Sequence, residues 1–153
     1  GLSHNGDIKF KNGKIEIKNN NSAFGKFVVD MNKIDCFDLS GGAKSKLISH
    51  LESDDFFSVD NYDEAILEID SLEHIKENKF LLYGDLMIKD IKNPVAMKGH
   101  IFKVENGYRA SIKLSFDRAK FNVKYKSKSF FSDLGDNIID DNIILNANVQ
   151  LFK

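Results

Sequence analysis

Apolar and polar residues alternate along most of this chain with a period of two, the spacing that puts every second side chain on one face of a strand. Phe80 to Ile88 is the clearest run, with Phe80, Leu82, Gly84, Leu86 and Ile88 on one face and Leu81, Tyr83, Asp85 and Met87 on the other. Asn142 to Phe152 places Ile143, Leu145, Ala147, Val149 and Leu151 inward and Asn146, Asn148 and Gln150 outward. One apolar and one mixed face is the pattern of a half-buried antiparallel sheet. Phe24 to Met31 and Glu64 to Ser71 are further strand candidates, and the single proline, Pro94, opens another, where a missing N–H does least harm. Asn106-Gly107, between Val95–Val104 and Tyr108–Phe116, predicts a hairpin turn. Asn12-Gly13 predicts a second one, between Ile8–Phe10 and Ile15–Ile17. The period changes once. Leu47, Ile48 and Leu51 recur at helical spacing, which predicts a short amphipathic helix over about residues 43–52. Beyond it stand Phe56 and Phe57, of which at least one is expected to plug an apolar opening.

Successive strands with hairpin turns and one helix predict a sandwich or a barrel, and the apolarity of one face in every long strand favours a closed antiparallel β-barrel. With 153 residues, no repeat and no linker, residues 1–153 read as a single domain. Lys and Arg number 22 against 23 Asp and Glu, for a net charge of -1, so no overall field attracts nucleic acid. Lys120 to Lys128 interleaves lysines with Phe121 and Tyr125, yet reads better as a solvated strand or loop face than as a single-strand binding surface. No stretch approaches the ~20 apolar residues of a membrane-spanning helix.

Candidate chemistry is sparse. The histidines, His4, His50, His74 and His100, belong to no HxH or HExxH pattern, so spacing gives no metal site. Nucleophile elbow, P-loop and dinucleotide fingerprints are absent, and nothing implies a cofactor. Cys36, the one cysteine, is flanked by Asp35 and Asp38 rather than by cations, and reads as core. Adjacent carboxylates such as Asp54-Asp55 and Asp140-Asp141 point to opposite sides of an extended chain and cannot act on one bond. Arg118 stands apart: if the strand ending at Phe116 continues, its guanidinium lies inward and needs an internal carboxylate or carbonyl, or else a ligand head. The internal partner is the better-founded of the two.

Several segments together resemble one family. Phe27 to Ile34 resembles its F-x-I-D-M-x-S-I strand, and Lys46 to Tyr62 resembles a block KL-x-x-HLKS-x-DFFDVE-x-YP. Gly84 to Val95 resembles G-x-L-T-I-K-G-x-T-K-P-V, and Asp117-Arg118 to Val123 resembles DR-x-x-F-G-I. On these residues the chain is similar to the YceI-like, polyisoprenoid-binding proteins. The resemblance implies an extended lipocalin-like barrel of about eight antiparallel strands, a periplasmic location, and a long isoprenoid or related amphiphile held inside. It also implies a strand with an aromatic residue before Gly6, so part of the first strand is expected to be missing and closure of the barrel is open. Asp63 replaces the family's proline, and Asn122 replaces a glycine, an exchange suited to a left-handed turn.

The expected lining is then Leu67, Ile69, Leu82, Leu86, Ile88, Val95, Met97, Ile101, Ile112, Leu114, Phe116, Leu145 and Val149, with Arg118 and Tyr125 near the mouth to select a head group. Gly84, Gly99 and Ala110 on the same surface would free volume. The function implied is non-catalytic binding or carriage of a polyisoprenoid, isoprenoid quinone or fatty-acyl derivative. Two rivals remain: a filled barrel that pairs with a partner or a second copy as a homodimer through an open edge, and an enzyme acting on a hydrophobic substrate.

Overall fold

A computed structural model describes residues 3–19, 22–132, 135 and 138–152. Its strands are β1 (Gly6–Asn19), β2 (Ser22–Cys36), β3 (Glu64–Lys76), β4 (Lys79–Ile88), β5 (Ile91–Val104), β6 (Gly107–Asp117) and β7 (Asn142–Phe152). Helix α1 (Gly41–Glu52) follows β2, and a 3₁₀ turn (Arg118–Phe121) follows β6. The seven strands form one antiparallel sheet in chain order, β1 to β7, curled into a nearly closed barrel. Strands β1 and β7 end the order, so a seam runs between them. Helix α1 carries Leu47, Ile48 and Leu51 half-buried, the face that helical spacing predicts. No helix among the described residues is long and apolar enough to cross a membrane.

Cross-strand registers assemble the inner face. Leu82, Met97, Leu114 and Leu145 make one continuous row across β4 to β7, and Phe27, Leu67 and Leu86 make another across β2 to β4. The same alternation puts Lys98 and Lys113 on the outer face. At about 25 cal/mol per Å² of apolar surface removed from water, this shared face supplies the main drive for the sheet to curl on itself. Pro94 sits inside β5, three residues before Met97, where β6 begins to pair. It leaves no ladder bond unmade on that side.

Three turns follow local chemistry. Lys89 and Asp90, both left-handed at φ 51° and 58°, close β4–β5 in the geometry that matches strand twist. The predicted β5–β6 hairpin is present, but its turn residues are Glu105-Asn106, and Gly107 is already paired with Val104. A Cβ on Gly107 would come within 1.9 Å of the Leu151 carbonyl oxygen, so this glycine serves the close approach of β7. Asn122 takes the left-handed conformation expected of it, at φ 60° and ψ 28°.

The hairpin expected at Asn12-Gly13 does not exist. Strand β1 runs straight through these residues, pairs Gly13 with Phe27, and absorbs one extra residue as a bulge between Phe10 and Asn12. Gly13 is required by its neighbour: a Cβ there would lie 2.3 Å from the Phe27 ring, which occupies the space above it. Gly84 likewise admits the β3 backbone, the Glu68 carbonyl oxygen lying 1.9 Å from where its Cβ would be, beside the irregularity at Ile69/Ser71. It opens no lumen volume.

If Gly13 is a packing glycine, Gly13→Val should destabilise the fold by about 1–3 kcal/mol through overpacking. Adding Phe27→Ala should recover part of that loss in the double-mutant cycle, measured by urea unfolding. A turn glycine would show no such coupling to Phe27.

Candidate functional site

The inner face divides into a filled part and an unfilled part. Ile69, Leu82, Leu86, Ile88, Met97, Ile101, Leu114 and Phe116 are buried and pack on one another as one core. Leu67, Val95, Ile112 and Val149 are half-buried, and Leu145 is 38% exposed. Ile15 and Ile17 of β1 are also only half-buried, although they pair with the inner-face positions Gly25 and Ala23. The uncovered apolar surface therefore includes both sides of the seam: Ile15 and Ile17 on β1, and Leu145 and Val149 on β7. Partly covered apolar side chains beside a filled core mark a place where further apolar matter gains free energy by binding.

One end of the barrel is stoppered. After α1 the chain turns back through Phe57 N–H to Leu51 C=O (3.1 Å) and Val59 N–H to Glu52 C=O (2.8 Å), with Ser58 in a left-handed conformation. This tight return drives the Phe56 ring inward, as expected for one of the paired phenylalanines. Phe56 is met by His50 at 5.1 Å and Tyr125 at 5.7 Å between ring centroids, and its face lies 5.3 Å from the Arg118 guanidinium carbon. Lys89 ties the β4–β5 turn to the stopper, donating to the carbonyls of Phe56 (3.1 Å) and Asn122 (3.3 Å). Partial burial lowers the pKa of this lysine.

Arg118 is the largest fully buried side chain, at 1% exposure. Its Nε donates to the Asp140 carbonyl (3.1 Å), Nη1 to the Val123 carbonyl (3.1 Å) and Nη2 to the Ile139 carbonyl (3.0 Å). Asp141 Oδ1 lies 3.1 Å from Nη2 but off the N–H direction, so it acts through charge and accepts no hydrogen bond. The other oxygen, Oδ2, accepts from the Ser127 hydroxyl (2.8 Å) and the Ser129 hydroxyl (2.9 Å). Burial raises the Asp141 pKa, but the two hydroxyls and Arg118 outweigh it and hold the carboxyl below the usual 3.8. Desolvation lowers the Arg118 pKa, opposed by Asp141, Asp117 and Asp140. The partner of Arg118 is thus internal. Arg118 and Tyr125, placed near a mouth by the sequence, stand together in the stopper.

A cavity of about 520 Å³ lies elsewhere, bordered by Leu81, Lys98, Lys113 and Asn146, by Lys79, His100 and Ser111, and by Ile75, Phe80, Gly99 and Ile112. The first four form the cross-strand row next to Leu82, Met97, Leu114 and Leu145, so their side chains point to the outer face. It is a depression over the outside of the sheet. Of the residues expected on the lumen surface, Ile112 and Gly99 border it. Sequence reasoning missed Ile15 and Ile17, because reading Asn12-Gly13 as a turn split β1 in two.

The family model for the YceI-like domain matches residues 2–151. No curated protein matches the sequence. Among solved structures, BcnA of Burkholderia cenocepacia superposes with a TM-score of 0.73 at 17% identity, over 92% of this chain and 82% of that one. The Campylobacter jejuni YceI protein gives 0.69 at 19% identity, over 100% of this chain and 87% of that one. A mutant of the C. jejuni protein with a monobromobimane guest gives 0.69 at 18% identity with the same coverage.

Removing Arg118 leaves the half-buried Asp141 without its counter-charge and three carbonyls without their donor, so Arg118→Ala should cost about 3–5 kcal/mol in urea unfolding. A carboxyl with a lowered native pKa contributes stability that is present above its unfolded value and lost as pH falls toward the native one. The stability difference between the wild type and Asp141→Asn should therefore be constant above pH ~4 and shrink below it.

Proposed function

Because the chain belongs to the YceI-like family, we propose that it binds a long-chain amphiphile, a polyisoprenoid, isoprenoid quinone or fatty-acyl derivative, without catalysing a reaction on it, in the periplasm or a comparable extracytoplasmic space. The observation that carries this reading is the seam: the inner faces of β1 and β7 present Ile15, Ile17, Leu145 and Val149 only partly covered, next to a continuous apolar core. A tail laid along them would complete the core that the sheet leaves unfinished. Each CH₂ taken from water contributes about 0.8 kcal/mol, so a long tail binds through its length and with little selectivity along it. Leu67, Val95 and Ile112, half-buried on the same face, extend this lining inward. The deeper residues, from Leu82 to Phe116, form its floor. Arg118 and Tyr125 close the end that the tail reaches, and a head group is left toward the opposite end or the seam. Catalysis has little to work with, since the buried charged side chain among the described residues, Arg118, is already engaged by carbonyls and Asp141.

The unpaired edges of β1 and β7 favour a second reading, in which two copies pair through them as a homodimer. A strict monomer by light scattering would remove it.

Protein purified from its native host should release a long-chain lipid into organic solvent, identified by mass spectrometry. A fluorescent fatty-acid probe should bind saturably at one site per chain and be displaced by a polyprenol. Leu145→Glu and Val149→Glu should each weaken the probe by at least about tenfold, because a carboxylate is costly to bury without a partner. Extracts without lipid, together with no saturable probe binding, would refute the proposal.

A further inference from the structure

The four histidines have no metal-binding spacing, yet the fold brings one of them into a mixed donor set far from the barrel interior. His4 lies just before β1, Cys36 is the last residue of β2, and Asp38 lies in the bend that follows, where the chain turns toward α1. His4 Nδ1 is 2.8 Å from Asp38 Oδ2, although the two residues are 34 positions apart. The Cys36 thiol donates to Asp38 Oδ1 at 3.3 Å. One ligand atom from each residue falls within 4.8 Å of the others.

We propose that His4, Cys36 and Asp38 form a divalent-metal site, with zinc as the ion it suits. The donors are an imidazole nitrogen, a sulfur and a carboxylate oxygen, the three atom types zinc accepts from proteins. Zinc bonds of roughly 2.0–2.3 Å in a tetrahedron set donor atoms roughly 3.3–3.7 Å apart, so the cluster needs only small adjustments to enclose the ion. A fourth position stays open to water. Calcium or magnesium would call for several oxygens and has no use for the thiol.

The surroundings hold two of the ligands in place. Asp38 Oδ1 accepts from the Asn5 backbone N–H at 2.8 Å, and Phe37 N–H donates to the Asn5 carbonyl at 2.9 Å, so Asp38 is fixed to the segment that carries His4. Cys36 is 3% exposed and aims its sulfur at Asp38, while His4 and Asp38 remain open to solvent and give the ion a way in. The adjacent Asp35 is engaged by Lys44 at 2.6 Å, which leaves the site with an anionic carboxylate and a thiol that ionises on binding the metal. Each proton displaced, from Cys36 and from His4 where it is charged, goes to solvent.

The position gives the ion a structural task. It would join the start of β1, an edge strand beside the seam, to the end of its sheet neighbour, β2. A metal clip there stabilises the folded chain by mass action, since the unfolded chain scatters the three ligands.

Titrating the reduced, tag-free chain with zinc against a chromophoric chelator should show one ion per chain and a rise in Tm. Cobalt should give a thiolate-to-metal charge-transfer band that Cys36→Ser lacks. His4→Gln, Asp38→Asn and Cys36→Ser should each weaken zinc by at least about tenfold, the lower bound for losing even an outer partner of a metal ligand. His4 and Asp38 are at the surface, so their variants test the site even where Cys36→Ser unfolds, with folding followed by circular dichroism. Failure of the wild type to bind zinc stoichiometrically, or wild-type affinity in any folded variant, would overturn the site. Lipid binding is read separately and does not depend on this outcome.

Discussion

A sheet with one continuous apolar face has to bury that face, and with seven antiparallel strands the way to do so is to curl until opposite strands meet. Everything else in this molecule depends on that requirement. The rows of Leu82, Met97 and Leu114 and of Phe27, Leu67 and Leu86 keep β2 to β6 in register, because a slip of one residue would turn lysines inward. Glycines admit the close contacts that curling creates, Gly13 beneath the Phe27 ring and Gly84 and Gly107 against neighbouring backbone. The curl stops short of closure, and apolar residues on β1 and β7 remain half covered along the line where the ladder ends.

The two regions where the barrel is incomplete are handled by different chemistry. At the α1 end, a return of the chain inserts Phe56, and Arg118 gathers the carbonyls of Val123, Ile139 and Asp140 around itself. A buried guanidinium is costly to desolvate. Here it satisfies three carbonyls of irregular backbone that no strand could pair, and it offers its face to the Phe56 ring. The seam has no such device. Among the described residues it leaves apolar side chains of the inner face partly covered, and that makes the seam, rather than the stopper or the depression over the outer face, the centre of the proposed binding function.

The corner formed by His4, Cys36 and Asp38 belongs to the same problem. An edge strand is held on one side only, and β1 starts beside the seam, so its first residues are the ones that fray most easily. Hydrogen bonds from Asn5 to Asp38 and from Phe37 to Asn5 already fasten that start to the end of β2. A bound ion would strengthen an existing attachment without adding a new one.

Alternation alone determined most of the architecture: β7 runs over Asn142–Phe152 as its pattern predicts, and the helix face of Leu47, Ile48 and Leu51 is where helical spacing places it. These are legible because period is a local property, carried by each residue's own polarity. The motif resemblance gave the family and the left-handed Asn122 for the same reason. What a residue faces is another matter. Gly13 reads as a turn until Phe27 is known to lie over it, and Arg118 reads as a cation in need of an internal partner, with a ligand head as the alternative, until residues 123 and 139–141 arrive beside it. His4 and Asp38 carry no shared spacing at all. Only the tertiary structure decided where the barrel is filled, where it stays open and which distant side chains meet, because those depend on contacts between segments that the order of residues leaves unspecified.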